Sequence, residues 1–428
     1  MSSSPAEPPA DGPLEVDLLV LGADELATPV GSSAQGGKAL GELHIVEQGG
    51  LAIDEGRIVH VGPWSELEGR FEARETHRLP GGTLVPGFVD AHTHPVFAGT
   101  REEEFEQRSR GASYVEIAEA GGGILSSVRG VRSSSKEELL ALLLMRLDRF
   151  LELGTTTIEA KTGYGLSFED ELKCLEVLAQ ANIMQAVECV PTFLGAHDFP
   201  PEFRDKRSEY VELLIEDMLP RIAETGLARY CDIFTESHVF GLKDSRAILQ
   251  RARELGFGLR LHVDQLSQLG GAQLAAELGA ASADHLEFCS DEGIAALAEA
   301  QVVPVLCPLV PLYLRVEQEA PARRMIAAGL APALATDFNP GSCMAQSLPE
   351  VMSFGALRYS MSAAECLNAA TLNAAASLGL AEDRGSLEVG KRADFCHLDQ
   401  PNHRHLVYEL SRNPVRMVGV AGRIVYTR

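Results

Sequence analysis

Long apolar runs are missing from this 428-residue chain: no window approaches ~20 continuous apolar residues, so no helical membrane span is expected. Net positive charge is missing too. The formal balance is −24, which repels phosphate backbones and anionic lipid and excludes nucleic acid and membrane surfaces as expected partners. None of the eight cysteines (Cys174, Cys189, Cys231, Cys289, Cys307, Cys343, Cys366, Cys396) forms a C-x-x-C pair, and several sit in apolar stretches such as "VVPVLCP". They read as reduced, buried thiols of a cytoplasmic protein. The opening "MSSSPAEPPADGP" has no charged-then-apolar leader pattern, so residues 1–13 are expected to be a short disordered tail.

What is present suits a barrel-sized domain with an accessory one. The chain is 45% hydrophobic and 23% charged, an ordinary globular balance, and is too long for one small domain. Near the start, "LEVDLLVLG", "LHIVEQGGLAIDEGRIVHVG" and "TLVPG" are short β-like runs with turn signals, and "GSLEVGKRADFCHLD" and "PVRMVGVAGRIVYTR" repeat the pattern near the end. Neither end has enough strands to close a sheet alone, which predicts one composite β-sandwich domain from residues 14–85 and 385–428.

Between them, over residues 86–384, the rhythm changes to strand, polar loop and amphipathic helix. Strand candidates are "FVDAHTH", "TTTIEAKTG", "AVECVPTFLGAH", "YCDIFTES", "LRLHVDQL", "ASADHLEF", "VVPVLCP" and "APALATDF". Helical segments separate them; the first, "SKEELLALLLMRLDRFLELG", opens with a capping box of Ser135 and Glu138 and stops at Gly154. The pattern predicts an α/β fold, a (β/α)8 TIM-type barrel with its site at the C-terminal strand ends. A doubly wound open sheet is the alternative, but no G-x-G-x-x-G follows the first strand.

Polar residues placed on that rhythm converge. The first strand ends in His92 and His94, the second in Glu159 and Lys161, the third in His197 and the fourth in Glu236; the fifth carries His262, the sixth His285 and the eighth Asp337. Residues two apart in a strand face one side, so His92 and His94 can address one ion. A lone H-x-H or a lone strand-end histidine is more often structural. The coincidence of His92, His94, His262, His285 and Asp337 at the ends of strands 1, 5, 6 and 8 predicts a metal clamp, in which three imidazoles and a carboxylate hold a divalent ion, zinc or iron, that acidifies a water.

This layout resembles the amidohydrolase superfamily of metal-dependent hydrolases, and "GSLEVGKRADF" resembles the stretch where such chains re-enter their sandwich. The strings "HTHPVFAGTREEEFEQRSRGASYVEIAEAGGGI", "EAKTGYGLSFEDELKCLEVL", "PTFLGAH", "ELGAASADHLE" and "ATDFNPGS" resemble, more narrowly, the imidazolonepropionase family of histidine degradation. That resemblance implies hydrolysis of the cyclic amide of 4-imidazolone-5-propanoate to N-formimidoyl-L-glutamate. It implies a propionate bound by Arg101, substrate contacts at Tyr164 and His197, and a loop of Asn339, Gly341 and Ser342 that holds substrate or product. It implies His92, His94, His262 and Asp337 as the ligands of one ion, with catalytic roles for His285, on the ring carbonyl, and Asp337, as proton carrier. Read without the resemblance, Arg101 could simply offset the acidic run Glu102–Glu104, and Asn339 and Gly341 could be plain turn residues.

Two departures stand out. The family's fifth-strand histidine is followed three residues later by glutamate, whereas here "HVDQL" places Gln265 there, an amide that can accept a hydrogen bond but cannot titrate. Adjacent Asp264 is a conceivable substitute on the opposite face. Leu125 stands where the family is more often polar. Lys161 could suggest a carbamylated lysine bridging two metals, but binuclear relatives carry that lysine on the fourth strand. Three functions stay open: the family's own reaction, a sister amidohydrolase acting on another carboxylate-bearing cyclic amide, and a catalytically impaired barrel acting as a binding protein, against which the complete donor set argues. The small-molecule enzyme is expected to be a homodimer.

Overall fold

The computed structural model describes residues 12–112 and 122–428. Most of the expected tail, and residues 113–121 of the first-loop motif, lie outside the described residues.

Seven strands open the chain: β1 (Leu14–Leu21), β2 (Glu25–Thr28), β3 (His44–Glu47), β4 (Gly49–Asp54), β5 (Arg57–Pro63), β6 (Phe71–Arg78) and β7 (Thr83–Pro86). Eight more follow at intervals: β8 (Phe88–Asp90), β9 (Thr155–Lys161), β10 (Glu188–Ala196), β11 (Tyr230–Thr235), β12 (Gly258–Val263), β13 (Ser282–His285), β14 (Val303–Leu306) and β15 (Ala333–Leu334). These pair in chain order into one eight-stranded sheet, parallel throughout, with helices between successive strands. This is the predicted (β/α)8 barrel.

The last strands, β16 (Phe395–Leu398), β17 (Val415–Val420) and β18 (Arg423–Thr427), join β7, β2 and β3 in a six-stranded sheet of order β18-β17-β16-β7-β2-β3. Both chain ends therefore share that sheet, while β5-β4-β1-β6 form a four-stranded one. The two pack through Leu18, Val20, Leu26, Leu84, Leu387 and Phe395.

Local chemistry explains the elements that carry the barrel. β9 is buried at every position and reads TTTIEAK, β-branched at its start, as a strand covered on both faces requires. The helix Lys136–Glu152 begins at Ser135, whose hydroxyl accepts from Glu138 N at 3.1 Å while Glu138 Oε2 accepts from Ser135 N at 2.8 Å. Its Leu139, Leu143, Leu147 and Phe150 form the buried stripe.

The barrel strands stop short of their predicted ends, most of all the first and the last. β8 stops at Asp90 and β15 at Leu334, so His92, His94 and Asp337 lie just past the sheet. Their segments close the barrel instead. Thr93 and Phe338 form an isolated parallel bridge, His94 N donates to Phe338 O at 2.9 Å, and Asp337 N donates to His92 O at 3.0 Å. The Asp90 carboxylate crosses the same seam, accepting from Thr336 N at 3.1 Å and Thr336 Oγ1 at 2.6 Å. The seam is held by backbone bridging and a buried side chain, so the shortened strands do not open the barrel.

Strands β2 and β6 and the helices Glu102–Ser109, Ile124–Ser133, Leu348–Tyr359, Ala363–Ala369 and Leu372–Ser377 were not anticipated from pattern. All eight cysteines are free and buried. Among the described residues, no helix is long and apolar enough to cross a membrane.

Candidate active site

The barrel's closing segments and its β12 and β13 ends bring five donor side chains together. His92, His94 and Asp337 form one trio and His92, His262 and His285 another, each with its ligand atoms within 4.8 Å of one another. The Nε2 atoms of His92 and His94 are 3.3 Å apart, as are those of His94 and His262. Asp337 Oδ1 lies 3.4 Å from the Nε2 of both His92 and His94. A tetrahedral ion with bonds of about 2.0–2.1 Å has ligand–ligand edges of roughly 3.3–3.4 Å, so these four spacings fit a zinc-sized divalent ion. His285 joins the second trio only within its 4.8 Å spread, while its ring centroid lies 5.1 Å from that of His92 and 5.3 Å from that of His262.

Asp337 and His285 are held in unusual backbone. Asp337 has φ +51°, His285 φ +80° and Leu286 φ +69°, left-handed conformations that non-glycine residues adopt at a cost of order 1–3 kcal/mol and that cluster at functional sites. Ser342 Oγ donates to Asp337 Oδ2 at 3.2 Å, and Asn339 Nδ2 donates to Asp337 O at 2.7 Å. Asn339 Oδ1 in turn accepts from Gly341 N at 2.8 Å and Ser342 N at 2.7 Å. The predicted substrate loop is thus also the brace for Asp337.

Burial sets the protonation of the cluster. It pushes His262 down to about 4 and His197 to about 3, and holds His94 well below its ordinary value. Burial would lower His92 as well, but hydrogen bonds to Asp284 and Asp337 outweigh it and bring it up to about 9. Burial would raise Asp337, and the His92 and His94 hydrogen bonds instead hold it well below the carboxylate range. The lowered values leave His94 and His262 neutral beside an ionised Asp337, the forms a cation requires, whereas His92 must lose its proton before it can ligate.

A cavity of about 1300 Å³ opens over the donors, and its walls include Arg101, Tyr164, His197, Gln265, Asn339, Gly341 and Ser342 together with His94, His262, His285 and Asp337. Leu125 lines it too, in the first turn of the helix Ile124–Ser133. His197 stacks on His94, ring centroids 5.1 Å apart, and its Nδ1 donates to Gly163 O at 3.0 Å. The Tyr164 ring lies 5.4 Å from His197. Arg101 is buried and gives Nε and Nη2 to Glu104 Oε2 at 2.9 and 2.6 Å, so the offset to the acidic run is real for one edge of its fork. Its Nη1 lies against Gly341, where a Cβ would collide with it.

The idea that Asp264 stands in for the missing glutamate does not survive. Its carboxylate accepts from the backbone N–H groups of Leu269, Gly270, Gly271 and Ala272, all at 3.1 Å, capping the helix Gly271–Leu278. Glu236 directly follows β11, as expected, and pins the loop after Gln265 by accepting from Leu266 N at 3.0 Å and Ser267 N at 3.1 Å. Lys161 lies beneath the site, paired with Glu159, Asp232 and Asp284, whose charges outweigh its burial and raise its pKa. An ammonium so held is no carbamylation target. Asp232, Asp284 and Arg260 were missed in the sequence. The available signal was a charged residue inside a buried strand, as in "CDIF" and "SADH", which needs a partner.

Residues 83–425 match the sequence profile of the amidohydrolase family, so the chain belongs to that family. It is 48% identical over 414 residues to an imidazolonepropionase of Symbiobacterium thermophilum, covering 96% of this chain and 97% of that one. It is likewise 48% identical over 415 residues to one from Solibacter usitatus, covering 96% and 99%. Within the amidohydrolases, then, the chain belongs with the imidazolonepropionases. A zinc-bound adenosine deaminase of Xanthomonas campestris shares the fold, with TM-score 0.66 and 22% identity over 96% of this chain and 93% of that one.

Proposed function

We propose that this chain hydrolyses the ring C–N bond of 4-imidazolone-5-propanoate to N-formimidoyl-L-glutamate, a step of histidine degradation, using one divalent ion, zinc or iron. The observation that carries the proposal is the convergence of a cation-sized donor cluster and the expected substrate contacts on one cavity, in a chain of this family. His92, His94, His262 and Asp337 would hold the ion. Bound there, it supplies a Lewis acid and an acidified water.

The chain's own residues do the rest. The free edge of the Arg101 guanidinium takes the propionate. His197 is neutral and donates from Nδ1 to Gly163 O, so its Nε2 is an acceptor for a ring N–H. The Gln265 carbonyl accepts a second, and Tyr164 packs beside the ring. His285 donates to the ring carbonyl oxygen as charge builds there. Asp337 carries the proton from the attacking water to the leaving ring nitrogen. Asn339, Gly341 and Ser342 keep Asp337 in place and meet the opened product.

Eight free, buried cysteines support a reducing, cytoplasmic setting, and a homodimer is the commonest assembly for such an enzyme. Gln265 favours one second reading, a sister activity on another carboxylate-bearing cyclic amide. The deciding experiment follows loss of imidazolone absorbance by the metal-replete protein, with Gln265→Glu run beside it. Turnover by the native chain is the expected result. A silent native chain with an active Gln265→Glu would favour the sister activity, and silence from both would sink the substrate assignment.

A further inference from the structure

Beneath the donor atoms lie five charged side chains with no exposure: Glu159, Lys161, Asp232, Arg260 and Asp284. Lys161 Nζ is 2.6 Å from Asp232 Oδ2, 2.9 Å from Glu159 Oε1 and 3.5 Å from Asp284 Oδ2. Arg260 lies 3.5 Å from Asp284 and 3.6 Å from Glu159. Charges buried this deeply are poor stabilisers, because desolvation consumes most of what their pairing returns, and apolar residues of similar volume often serve a core as well. Stability alone does not account for them.

Two of the three carboxylates do something the third does not. Asp284 Oδ2 accepts from His92 Nδ1 at 2.6 Å, and Asp232 Oδ1 accepts from His262 Nδ1 at 3.1 Å. Each carboxylate is itself fixed, Asp284 Oδ1 by Ser282 Oγ at 2.5 Å and Asp232 Oδ1 by Ile233 N at 2.6 Å. Glu159 meets Lys161 and the backbone of Thr93, but no imidazole.

We propose that Asp232 and Asp284 are positioning residues for the metal ion, each holding one ligand imidazole in the tautomer that leaves Nε2 bare and aimed at the donor cluster, with Lys161 and Arg260 holding the two carboxylates. The proposal rests on the ligand set given above and assigns roles to residues outside it. An ionised carboxylate accepts only, so Nδ1 must carry its ring's proton, and the second nitrogen of a neutral ring then has only a lone pair to offer.

The test compares full-length Asp232→Asn, Asp284→Asn and Glu159→Gln with the parent, all stripped of metal. Zinc affinity is measured by competition with a chromogenic chelator, and metal-free unfolding temperature is recorded beside it. Glu159→Gln removes the same charge from the same cluster and disturbs the same lysine, but touches no imidazole. The aspartate variants are expected to bind zinc about 10–100-fold more weakly than the parent, and at least about tenfold more weakly than Glu159→Gln. Any smaller separation between the aspartate variants and Glu159→Gln overturns the proposal, whatever happens to the unfolding temperature. Should Asp232→Asn fail to fold, Asp232→Asn with Lys161→Gln keeps the cluster's charge balance and is judged by the same criterion. No substrate enters the measurement, so failure of the proposed reaction leaves the result readable. A parent that takes up no zinc would overturn the ligand set and this proposal together.

Discussion

Arg101 and Gly341 show how a single missing methyl group shapes the site. The guanidinium gives one edge to Glu104 and lays Nη1 where a Gly341 side chain would be. Gly341→Ala should therefore displace the fork that takes the propionate. Loss of a charge-assisted contact worth about 1.5–3 kcal/mol predicts a KM rise of roughly 10–100-fold with kcat changed far less, read by steady-state kinetics. An unchanged KM would remove Arg101 from propionate binding. At this scale the sequence was informative wherever chemistry follows chain order. His92 and His94 flank Thr93, which bridges to Phe338, and Asp337 sits opposite them across the seam, as their predicted places on the first and last strands implied. Asp232 and Asp284 were legible only as buried strand acids in need of a partner, because nothing local says that the partner is a histidine from another strand. Asp264 misled because its helix-capping role depends on a turn, with φ +49° at Asp264 itself, that hydropathy does not reveal.

Strands and helices are tied to each other by a few partly buried ions, and one such tie links the barrel to the C-terminal segment. Glu188, at the start of β10, accepts from Arg384 Nη1 at 2.8 Å and Arg392 Nη1 at 2.5 Å. Burial would raise its pKa, but the two guanidinium groups outweigh that and hold it below the ordinary 4.5. A depressed folded-state value contributes stability above the unfolded pKa and loses it as pH falls through the folded one. Glu188→Gln should thus lower the thermal midpoint at pH 7, and its gap from the parent should narrow as pH drops below 4.5. A gap that stayed constant with pH would mean that packing, not charge, joins these elements. Element order was largely legible, since each barrel strand is a short apolar run followed by a stop signal. Strand ends were not, because β8 and β15 hand over to loop backbone that bridges without forming a ladder.

Over the whole molecule, the donors and the barrel seam are one structure. His92, Thr93 and His94 meet Asp337 and Phe338 there by backbone hydrogen bonds, so an ion held by these side chains also ties the first barrel segment to the last. Chelation should remove activity and lower the thermal midpoint together, and added ion should restore both. A ligand present at about 1,000 times its Kd contributes about 4 kcal/mol, enough for a clear shift in calorimetry. Loss of activity without any loss of midpoint would separate the ion from the seam. The sheet shared by both chain ends was legible from the shortage of strands at either end, although its order was not. It also sets a timetable for synthesis. Thr83 on β7 hydrogen-bonds to Gln400, 317 residues further along, beside the β7–β16 pairing. At about 5–20 residues per second, β7 leaves the ribosome roughly 16–60 s before its neighbour β16 exists. For that interval the nascent chain carries an unpaired strand edge, and all eight barrel strands are synthesised before the partner that covers it.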